Sequence, residues 1–318
     1  MTETMIHLAG VTRTFGHARA LDNIDLQVQR GEVMGFLGPN GAGKTTTMRI
    51  LAGLLAPSAG EVAVAGVDVL ENPVEARARI GFLPENPPIY GEMTVEEYLT
   101  YLATLRRVPG PQLTAAVRRA MERCGLVTVA SRLLRNLSKG YKQRAGIAQA
   151  IVHSPDVVIL DEPTVGLDPI QIREIRELIR ELGGEHSVLL SPHILPEVRM
   201  TCQRVAVIHQ GRIVANDALD ALENRAMGKC AHLLKWNNPP SRETLGNIPG
   251  VAHVLPKEEG WLITAAPDSD PLPELVRLSA SEGWNLRELT QAGGTLEDIF
   301  LQLTTREERS IDTKEAPQ

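Results

Sequence analysis

A glycine-rich segment at residues 38–46 is the part of this sequence that most directly suggests chemistry. Residues 38–45 fit the pattern GxxxxGK[ST] and follow an apolar, strand-like run. Glycines let a backbone approach phosphate oxygens, and successive backbone N–H groups can then point at the anion. We expect Lys44 to bridge two phosphates and the Thr45 hydroxyl to hold Mg²⁺. The residues expected to contact a nucleotide here are Gly38, Pro39, Asn40, Gly41, Ala42, Gly43, Lys44, Thr45 and Thr46.

A pair of acids, Asp161 and Glu162, follows the apolar run 157–160. The carboxyl ends of parallel strands form the sheet edge at which ligands bind, so both carboxylates are placed to act on a phosphate. Asp161 suits Mg²⁺, held through water, and Glu162 can act as a general base or position an attacking water. Without the glycine-rich segment, the same pair would fit an ordinary solvated loop equally well.

The elements that must position these residues alternate between strands and helices. Residues 32–37 are predicted to form a buried strand and residues 45–55 a helix, so the glycine-rich segment lies between them. This context argues against an ordinary glycine-rich turn. Residues 157–160 and 187–190 are two further buried strands, separated by a helix with an apolar stripe over 172–182. The alternation predicts an α/β fold, a P-loop domain with a mainly parallel sheet.

Changes in pattern along the chain divide it into parts. Residues 1–224 are predicted to form the α/β domain, and about 92–150, which are rich in Leu, Ala and Arg at helical spacing, form a helical insertion. Residues 225–304 carry the order β-α-β-β-α-β, which predicts a small ferredoxin-like α+β domain. A helix at 296–303 is expected to close that domain, and residues 305–318 are expected to be disordered.

Composition limits the class of protein. The chain has 318 residues, 43% of them hydrophobic and 23% charged, enough to bury a sizeable core. The formal net charge is −6 and aromatic residues make up only 3%, which argues against a nucleic-acid partner. No run of apolar residues is long enough to span a membrane, and no signal peptide is predicted. If the protein serves a membrane process, another chain must do the spanning.

The cysteines point to a reduced setting. Cys124, Cys202 and Cys230 are odd in number and scattered, and none belongs to a CxxC pair. Neither a disulfide framework nor a zinc site is therefore predicted, and a cytoplasmic location fits best.

Four further motifs stand in a recognisable order around the first two. They are Leu137-Ser138-Lys139-Gly140-Tyr141, Gly166-Leu167-Asp168-Pro169, His193, and Phe15 upstream of the glycine-rich segment. Together with the first two motifs, they make residues from about 5 to 222 resemble the ABC ATPase cassette.

The resemblance implies roles for these residues. Ser138 and Gly140 would contact the γ-phosphate bound to the opposite subunit, and Ser138 could also cap a helix. Asp168 resembles the residue at the dimer seam, and His193 the histidine that contacts the γ-phosphate. Phe15 resembles the aromatic that stacks on adenine. Taken one at a time, these residues also fit a helix cap, a turn former, a surface histidine and a core side chain.

The resemblance also implies partners. ABC ATPases of this kind bind ATP and Mg²⁺, dimerise with a second copy or a paralogous ATPase, and drive an integral membrane permease from the cytoplasmic side. The Leu-Pro-Glu sequence at 83–85, the Leu-Ser-Lys-Gly-Tyr signature at 137–141 and the run 296–301 are similar to those of bacterial exporter-type systems, including gliding-motility-associated and multidrug or polysaccharide export ATPases.

Three positions depart from the family pattern: Glu85, Tyr141, and Pro192, which precedes His193 and removes one backbone donor at the strand end. Glu85 stands where a glutamine normally ligates the metal; its carboxylate can still do so but cannot donate a hydrogen bond. Tyr141 replaces the terminal glutamine of the signature.

Two other functions stay open from the sequence: a soluble ABC-type ATPase acting on ribosomes or DNA, and a regulatory nucleotide-binding module with little turnover. A single GxxxxGKT motif and the absence of sustained heptads speak against the former, and Glu162 and His193 speak against the latter.

Overall fold

The computed structural model describes residues 3–192, 195–222, 231–257, 260–266 and 269–292. Its contacts divide the chain into two compact units, Met1–Asp217 and Ala218–Gln318. The division comes earlier than the predicted boundary at residue 224, because the residues from Ala218 onward group by their contacts with the second unit. His193 and the predicted segments 296–303 and 305–318 lie outside the described residues.

Ten strands of the first unit form two sheets. In chain order they are β1 (Thr4–Phe15), β2 (Ala18–Gln29), β3 (Val33–Leu37), β4 (Ala59–Val64), β5 (Val67–Asp68), β6 (Ile80–Leu83), β7 (Val157–Asp161), β8 (Ser187–Ser191), β9 (Arg204–His209) and β10 (Arg212–Ala218). One sheet has the order β10-β9-β3-β8-β7-β6, and its pairs β3–β8, β3–β9, β6–β7 and β7–β8 are parallel. The other sheet, β2-β1-β4-β5, is antiparallel. The predicted α/β fold with a mainly parallel core sheet is confirmed.

Seven helices accompany these sheets in the described residues of the first unit. They are α1 (Lys44–Leu51), α2 (Pro73–Ala78), α3 (Val95–Leu105), α4 (Gly110–Arg123), α5 (Lys139–Ile151), α6 (Pro169–Leu182) and α7 (Leu195–Thr201). Helix α1 begins one residue earlier and ends four residues earlier than the predicted helix at 45–55. It ends at Leu51, two residues before Gly53, whose φ of 67° lies in the left-handed region that follows helix ends.

The segment between β6 and β7 is helical, with α3, α4, α5 and two short 3-10 turns. A capping box begins α3: the Thr94 hydroxyl accepts from the Glu97 amide, and the Glu97 carboxylate accepts from the Thr94 amide. Helix α5 is tied to the parallel sheet, because the Gln149 side-chain amide donates to the Phe82 carbonyl at 2.7 Å. The insertion is thereby anchored to the strand that precedes it.

The core of the first unit lies where the two sheets and α1 meet. Strands β3, β7 and β8 are buried along their whole length, as expected of parallel strands covered on both faces. Cys124 and Cys202 are also buried, and burial raises the pKa of both thiols to about 12. Both cysteines are free thiols in the structure.

The second unit is a small α+β domain. Its elements are β11 (Ala231–Trp236), α8 (Arg242–Gly246), β12 (Val251–Lys257), β13 (Gly260–Ala265), α9 (Leu272–Ser281) and β14 (Leu286–Ala292). The antiparallel sheet has the order β12-β13-β11-β14, so the first and third strands of the motif lie at its centre, as in the predicted ferredoxin-like arrangement. Its separate core is formed by Leu234, Trp236, Leu245, Ile248, Val254, Ile263 and Leu275.

A cavity in this small core should be costly. Leu234 is fully buried, so Leu234→Ala is expected to lower the free energy of unfolding of the second unit by about 2–5 kcal/mol. Leu255→Ala is the matched control, since Leu255 lies on the same sheet with 48% of its surface exposed. Chemical denaturation followed by tryptophan fluorescence measures both, because Trp236, Trp261 and Trp284 belong to this unit. Equal losses in the two variants would contradict the assignment of the core.

Candidate functional site

The glycine-rich loop runs between the end of β3 and the start of α1. Two of its glycines are required by space, and one of them is required by conformation as well. A Cβ on Gly38 would lie 2.3 Å from the Ile208 carbonyl oxygen, and one on Gly43 would lie 2.6 Å from the Leu21 side chain. Gly43 also has a φ of 112°, a conformation that residues with a Cβ rarely adopt. The loop therefore holds its shape only with glycine at these positions.

Lys44, the first residue of α1, turns its side chain back over this loop. Its Nζ donates to the carbonyl oxygens of Gly38 at 2.7 Å and Pro39 at 3.2 Å. The side chain is buried, and burial lowers its pKa, while the negative charges of Glu162 and Asp161 act in the opposite direction. Lys44 therefore shares one electrostatic environment with the acids at the end of β7.

Asp161 ends β7 and is buried beside the start of α1. Burial raises the pKa of its carboxyl group; a hydrogen bond from Thr45 lowers it, and the charges of Glu162 and Glu85 raise it further. The structure thus brings Lys44, Thr45, Asp161, Glu162 and Glu85 together. Glu85 is exposed but close enough for its charge to act on Asp161, which is consistent with the position expected for it.

These oxygens have the chemistry that Mg²⁺ requires. Mg²⁺ prefers carboxylate and hydroxyl oxygens, and it keeps several waters and phosphate oxygens when it binds beside a nucleotide. Asp161 and Thr45 supply two such oxygens within hydrogen-bonding reach of each other. In the described ranges, no group of three or more His, Cys, Asp or Glu residues could hold a metal alone. The donor set therefore fits a metal bound jointly with phosphates.

The backbone of Glu162 is in an unusual conformation. Its φ is 50°, in the left-handed region that costs a residue with a Cβ about 1 kcal/mol or more. The Glu162 amide donates to the Ser191 carbonyl at 2.9 Å, which fixes the turn to the end of the neighbouring strand β8. Ser191 is a residue that the sequence analysis missed. Its Oγ is buried and has no hydrogen-bond partner among the described residues, and its place at the end of a strand beside the acids was the available signal.

Ser138 and Asp168 begin two helices and form a second group. The Ser138 hydroxyl accepts from the Tyr141 amide at 3.4 Å, and the Asp168 carboxylate accepts from the amides of Ile170 and Gln171 at 3.0 and 2.9 Å. Both side chains are therefore helix caps, and both are exposed.

The starts of α5 and α6 lie close together. A Cβ on Gly140 would lie 2.6 Å from the end of the Gln171 side chain, so the two helix starts are in contact there. A Cβ on Gly166, whose φ is 69°, would lie 2.1 Å from the Lys139 Nζ. Lys139 therefore rests against the loop that connects Glu162 to Asp168.

Phe15, at the end of β1, is not a core residue. Its side chain is 47% exposed, and the Arg13 guanidinium lies 4.5 Å from the centre of its ring. The alternative of a core side chain is thus wrong, and the ring is accessible to a flat ligand such as a base. His193 lies outside the described residues, so its position relative to this group is not given by the structure.

Comparison with known proteins identifies the family. Residues 21–165 match the family model for the ABC transporter. The chain is 33% identical over 302 residues to the bacitracin transport ATP-binding protein BcrA of Bacillus licheniformis, covering 94% of this chain and 97% of that protein. It is 31% identical over 311 residues to the daunorubicin resistance ATP-binding protein DrrA3 of Streptomyces coeruleorubidus, covering 97% and 98%. The chain belongs to the ABC transporter ATP-binding proteins.

Solved structures support the same assignment over about 70% of this ABC protein. An ATP-binding subunit of an ABC transporter is similar with a TM-score of 0.64 and 29% identity, covering 70% of this chain and 93% of that one. A dimeric bacterial ABC transporter cassette is similar with a TM-score of 0.62 and 25% identity, covering 68% and 99%. A post-hydrolysis cassette bound to ADP and Pi has a TM-score of 0.61 and 26% identity, covering 68% and 99%.

The ABC protein is thus the ATP-binding subunit of an exporter-type transporter, and it is an ATP hydrolase. Its glycine-rich loop, residues 38–45, lies within the part of the chain that matches the family model. In the described part of the ABC protein, no helix combines the length and apolar character needed to cross a lipid bilayer.

Adding a methyl group to the glycine-rich loop should separate an effect on nucleotide binding from an effect of general backbone strain. Gly43→Ala is expected to weaken ATP binding by more than about 100-fold, because both the φ of 112° and the contact with Leu21 force the loop to move. Gly66→Ala is the control, since Gly66 also has a positive φ of 76° but no atom within 4 Å of the added methyl. Titration calorimetry with ATP measures both. Normal affinity in Gly43→Ala would contradict the loop assignment.

Proposed function

We propose that this ATPase works as a dimer that closes around two ATP molecules and drives a separate membrane permease from the cytoplasmic face of the cell membrane. The second subunit is another copy of this chain or a paralogous ATPase. The observation that carries the proposal is the division of the functional residues into two groups. One converges on Lys44 and Asp161, and the other lies at the exposed starts of α5 and α6.

The first group is proposed to hold the triphosphate. The loop amides from Gly38 to Thr46 surround the phosphates, and Lys44 exchanges its two carbonyl partners for phosphate oxygens. When bound, Mg²⁺ neutralises charge on the phosphates, and Thr45, Asp161 and Glu85 are the residues that would hold it. Phe15, at the exposed end of β1, is proposed to stack on the adenine ring.

Glu162 is proposed to accept the proton of the attacking water. Its carboxylate follows the Mg²⁺ ligand Asp161 directly, so it lies beside the γ-phosphate position without having to bind the metal itself. The left-handed φ of Glu162 and the hydrogen bond from its backbone amide to the Ser191 carbonyl hold the start of this side chain in one place. His193 is proposed to contact the γ-phosphate from the neighbouring segment after β8.

The second group is proposed to complete the site of the opposite subunit. Ser138 and Gly140 stand at the N-terminus of α5, where free amides and the helix dipole favour an anion. A γ-phosphate placed there would be held between the Lys44 of one subunit and the Ser138 of the other. Asp168 would lie at the seam between the subunits. The similarity to a dimeric cassette supports this arrangement.

The permease is proposed to dock beside the loop 85–90 and the insertion helices. Tyr90 lies at the centre of an aromatic cluster, 6.1 Å from Tyr98 and 5.8 Å from Tyr101 by ring centroids. Tyr98 is buried and donates to the Pro88 carbonyl at 3.4 Å, whereas Tyr90 and Tyr101 are exposed. Exposed aromatic rings on a rigid base are typical of protein interfaces. Motion of this loop would reach Glu85 directly.

The cargo is proposed to move outward, and each part of the chain is proposed to have its own role. The relatives named for bacitracin transport and daunorubicin resistance favour outward movement of the cargo. Residues 1–224 are proposed to perform the nucleotide chemistry, with the helical insertion at about 92–150 carrying the signature. Residues 225–304 are proposed to be an accessory domain, and 305–318 a tail.

Replacing the proposed base should trap the closed dimer. Glu162→Gln keeps the shape of the side chain but removes its proton affinity, so turnover is expected to fall by at least about 100-fold while ATP stays bound. Gel filtration with ATP and Mg²⁺ should then show a dimer containing two nucleotides.

Ser138→Arg in the Glu162→Gln background is the control, because a large cation at the start of α5 would block the contact between subunits without touching Lys44. It should bind ATP and elute as a monomer. Near-normal hydrolysis by Glu162→Gln would remove Glu162 from the role of base. A Glu162→Gln protein that binds ATP but stays monomeric would argue against the two-subunit site.

The charge of Glu85 should matter most when the metal is absent. Asp161 and Glu85 then face the triphosphate together, whereas Mg²⁺ reverses the sign of that interaction. Glu85→Gln is expected to strengthen metal-free ATP binding by about fivefold, the equivalent of roughly 1 kcal/mol of repulsion, and Mg-ATP binding by less. Titrations in EDTA and in Mg²⁺ measure both. Equal changes in the two conditions, or none, would show that Glu85 does not face the nucleotide.

A further inference from the structure

A buried carboxylate contacts the loop that follows Asp161. It belongs to Glu197 of α7, which is only 2% exposed, and its two oxygens have different partners. One oxygen accepts from the Thr164 hydroxyl at 2.8 Å, and the other lies 3.6 Å from the Arg176 guanidinium of α6. Thr164 is itself 4% exposed. The carboxylate therefore joins three segments: the loop 162–168, α6 and α7.

Burial of this carboxylate has a cost that an apolar side chain at the same place would not have. A buried ion loses its hydration, and a charged partner restores only part of that free energy. The compensation here is incomplete, because the Nε of Arg176 is buried and has no hydrogen-bond partner within the part of the chain that the structure describes. The ion pair distance of 3.6 Å is also longer than a direct charge-assisted hydrogen bond. Packing of α6 on α7 alone is therefore a weak reason for a carboxylate here.

The loop needs firm attachment because its first residue is strained. Glu162 has a left-handed φ of 50°, and such a backbone conformation persists only where surrounding contacts hold it. One contact is the hydrogen bond from the Glu162 amide to the Ser191 carbonyl. Another lies two residues further on, where the Thr164 hydroxyl donates to Glu197. The strained residue thus begins a three-residue segment, 162–164, that is attached at both ends.

The backbone hydrogen bonds inside the loop hold it less firmly. The Val165 amide donates to the Glu162 carbonyl at 3.3 Å, and the Leu167 amide donates to the Thr164 carbonyl at the same distance. Both are longer than the usual backbone hydrogen bond of about 2.9–3.0 Å. The bond from Thr164 to Glu197 is shorter, is buried and has a charged acceptor, which makes it the stronger kind. The shape of the loop therefore depends on an acceptor that lies outside it.

We propose that Glu197 is a positioning residue for ATP hydrolysis: by accepting the Thr164 hydroxyl, it keeps Glu162 in its left-handed conformation, with the Glu162 carboxylate directed at the attacking water. This inference rests on the proposed function, in which Glu162 accepts the proton of that water, and it adds a residue that acts through another side chain. Without the bond, the loop relaxes toward an unstrained backbone, and the Glu162 carboxylate moves with it. A misplacement of about 1 Å can slow a reaction by about 100-fold.

Thr164→Val tests the inference, because valine keeps the shape of threonine and lacks the hydroxyl. The kcat of ATP hydrolysis by the full chain is expected to fall by at least about tenfold. The Kd for ATP, measured by titration calorimetry, is expected to change by less than about twofold, because the contacts of Lys44 with the glycine-rich loop are unaltered. Thr164→Ser keeps the hydroxyl and should retain most of the turnover.

Thr201→Val is the matched control for the same chemical change. Thr201 lies on α7 and is buried, and its hydroxyl has no hydrogen-bond partner among the described residues. The replacement therefore removes a hydroxyl from the same helix without removing a hydrogen bond. Its kcat is expected to stay near that of the wild type.

Glu197→Gln separates positioning from stability. The glutamine oxygen can still accept from the Thr164 hydroxyl, whereas the charge that faces Arg176 is lost. We therefore expect Glu197→Gln to lower the melting temperature more than Thr164→Val does, because a partly buried cation loses its partner. It should nevertheless lower kcat less than Thr164→Val does. If the carboxylate only stabilised the fold, the less stable of the two variants would also be the slower enzyme.

The double variant with Glu162→Gln decides whether Thr164 acts through Glu162. Adding Thr164→Val to Glu162→Gln should cause no further loss of turnover, because the side chain that Thr164 positions is already inactive. A further loss of about tenfold would overturn the inference. Wild-type kcat in Thr164→Val, an equal loss in Thr201→Val, or a parallel loss of kcat and ATP affinity would also overturn it.

Failure of the proposed function gives a different result. Near-normal hydrolysis by Glu162→Gln alone would show that Glu162 is not the base, and the inference would fall with that role. Slow hydrolysis by Glu162→Gln together with normal hydrolysis by Thr164→Val would keep Glu162 as the base and remove only Glu197 and Thr164 from its positioning.

Discussion

The structure of the site depends on a compensated burial of charge at one edge of the parallel sheet. Strands β3 and β7 end on the same side, and they bring a buried ammonium and a buried carboxylate into one region. Each group would be costly alone, because burial disfavours its charged form. Together, with the Thr45 hydroxyl and the loop carbonyls as further partners, they form a preorganised polar site inside an apolar fold. The proposed triphosphate and Mg²⁺ would add charges of both signs to the same place.

The two groups of site residues are also linked within one chain. The loop from Glu162 to Asp168 begins at the end of β7 and finishes as the cap of α6, and Lys139 of the neighbouring helix rests against it at Gly166. The chemistry group and the exposed helix starts are thus connected by seven consecutive residues, 162–168. Because this loop is short and held at both ends, a displacement of Glu162 is expected to displace Asp168 as well.

Much of this was accessible from the sequence because the signals are local. The glycine spacing, the apolar run before Asp161 and the β-α-β-β-α-β order of the second unit each depend on neighbouring residues, and the fold agrees with all three. Contacts between distant segments left no such signal. The hydrogen bond from the Arg106 guanidinium to the Arg77 carbonyl joins residues that are separated by a strand and a helix. The support of Glu162 by Ser191 depends on which strands are adjacent. The end of α1 was misplaced because an apolar pattern continues past Gly53, whereas the helical backbone does not.

The left-handed conformation of Glu162 has a consequence for selection. Glycine adopts that conformation without the steric cost, and asparagine does so more readily than glutamate. Substitution by either would relax the backbone and remove the neighbouring charge that raises the pKa of Asp161, while discarding the carboxylate. A screen that rewards only thermal stability would therefore tend to enrich sequences that lack the proposed base. Retention of glutamate there would then reflect selection for turnover against a standing pressure from folding.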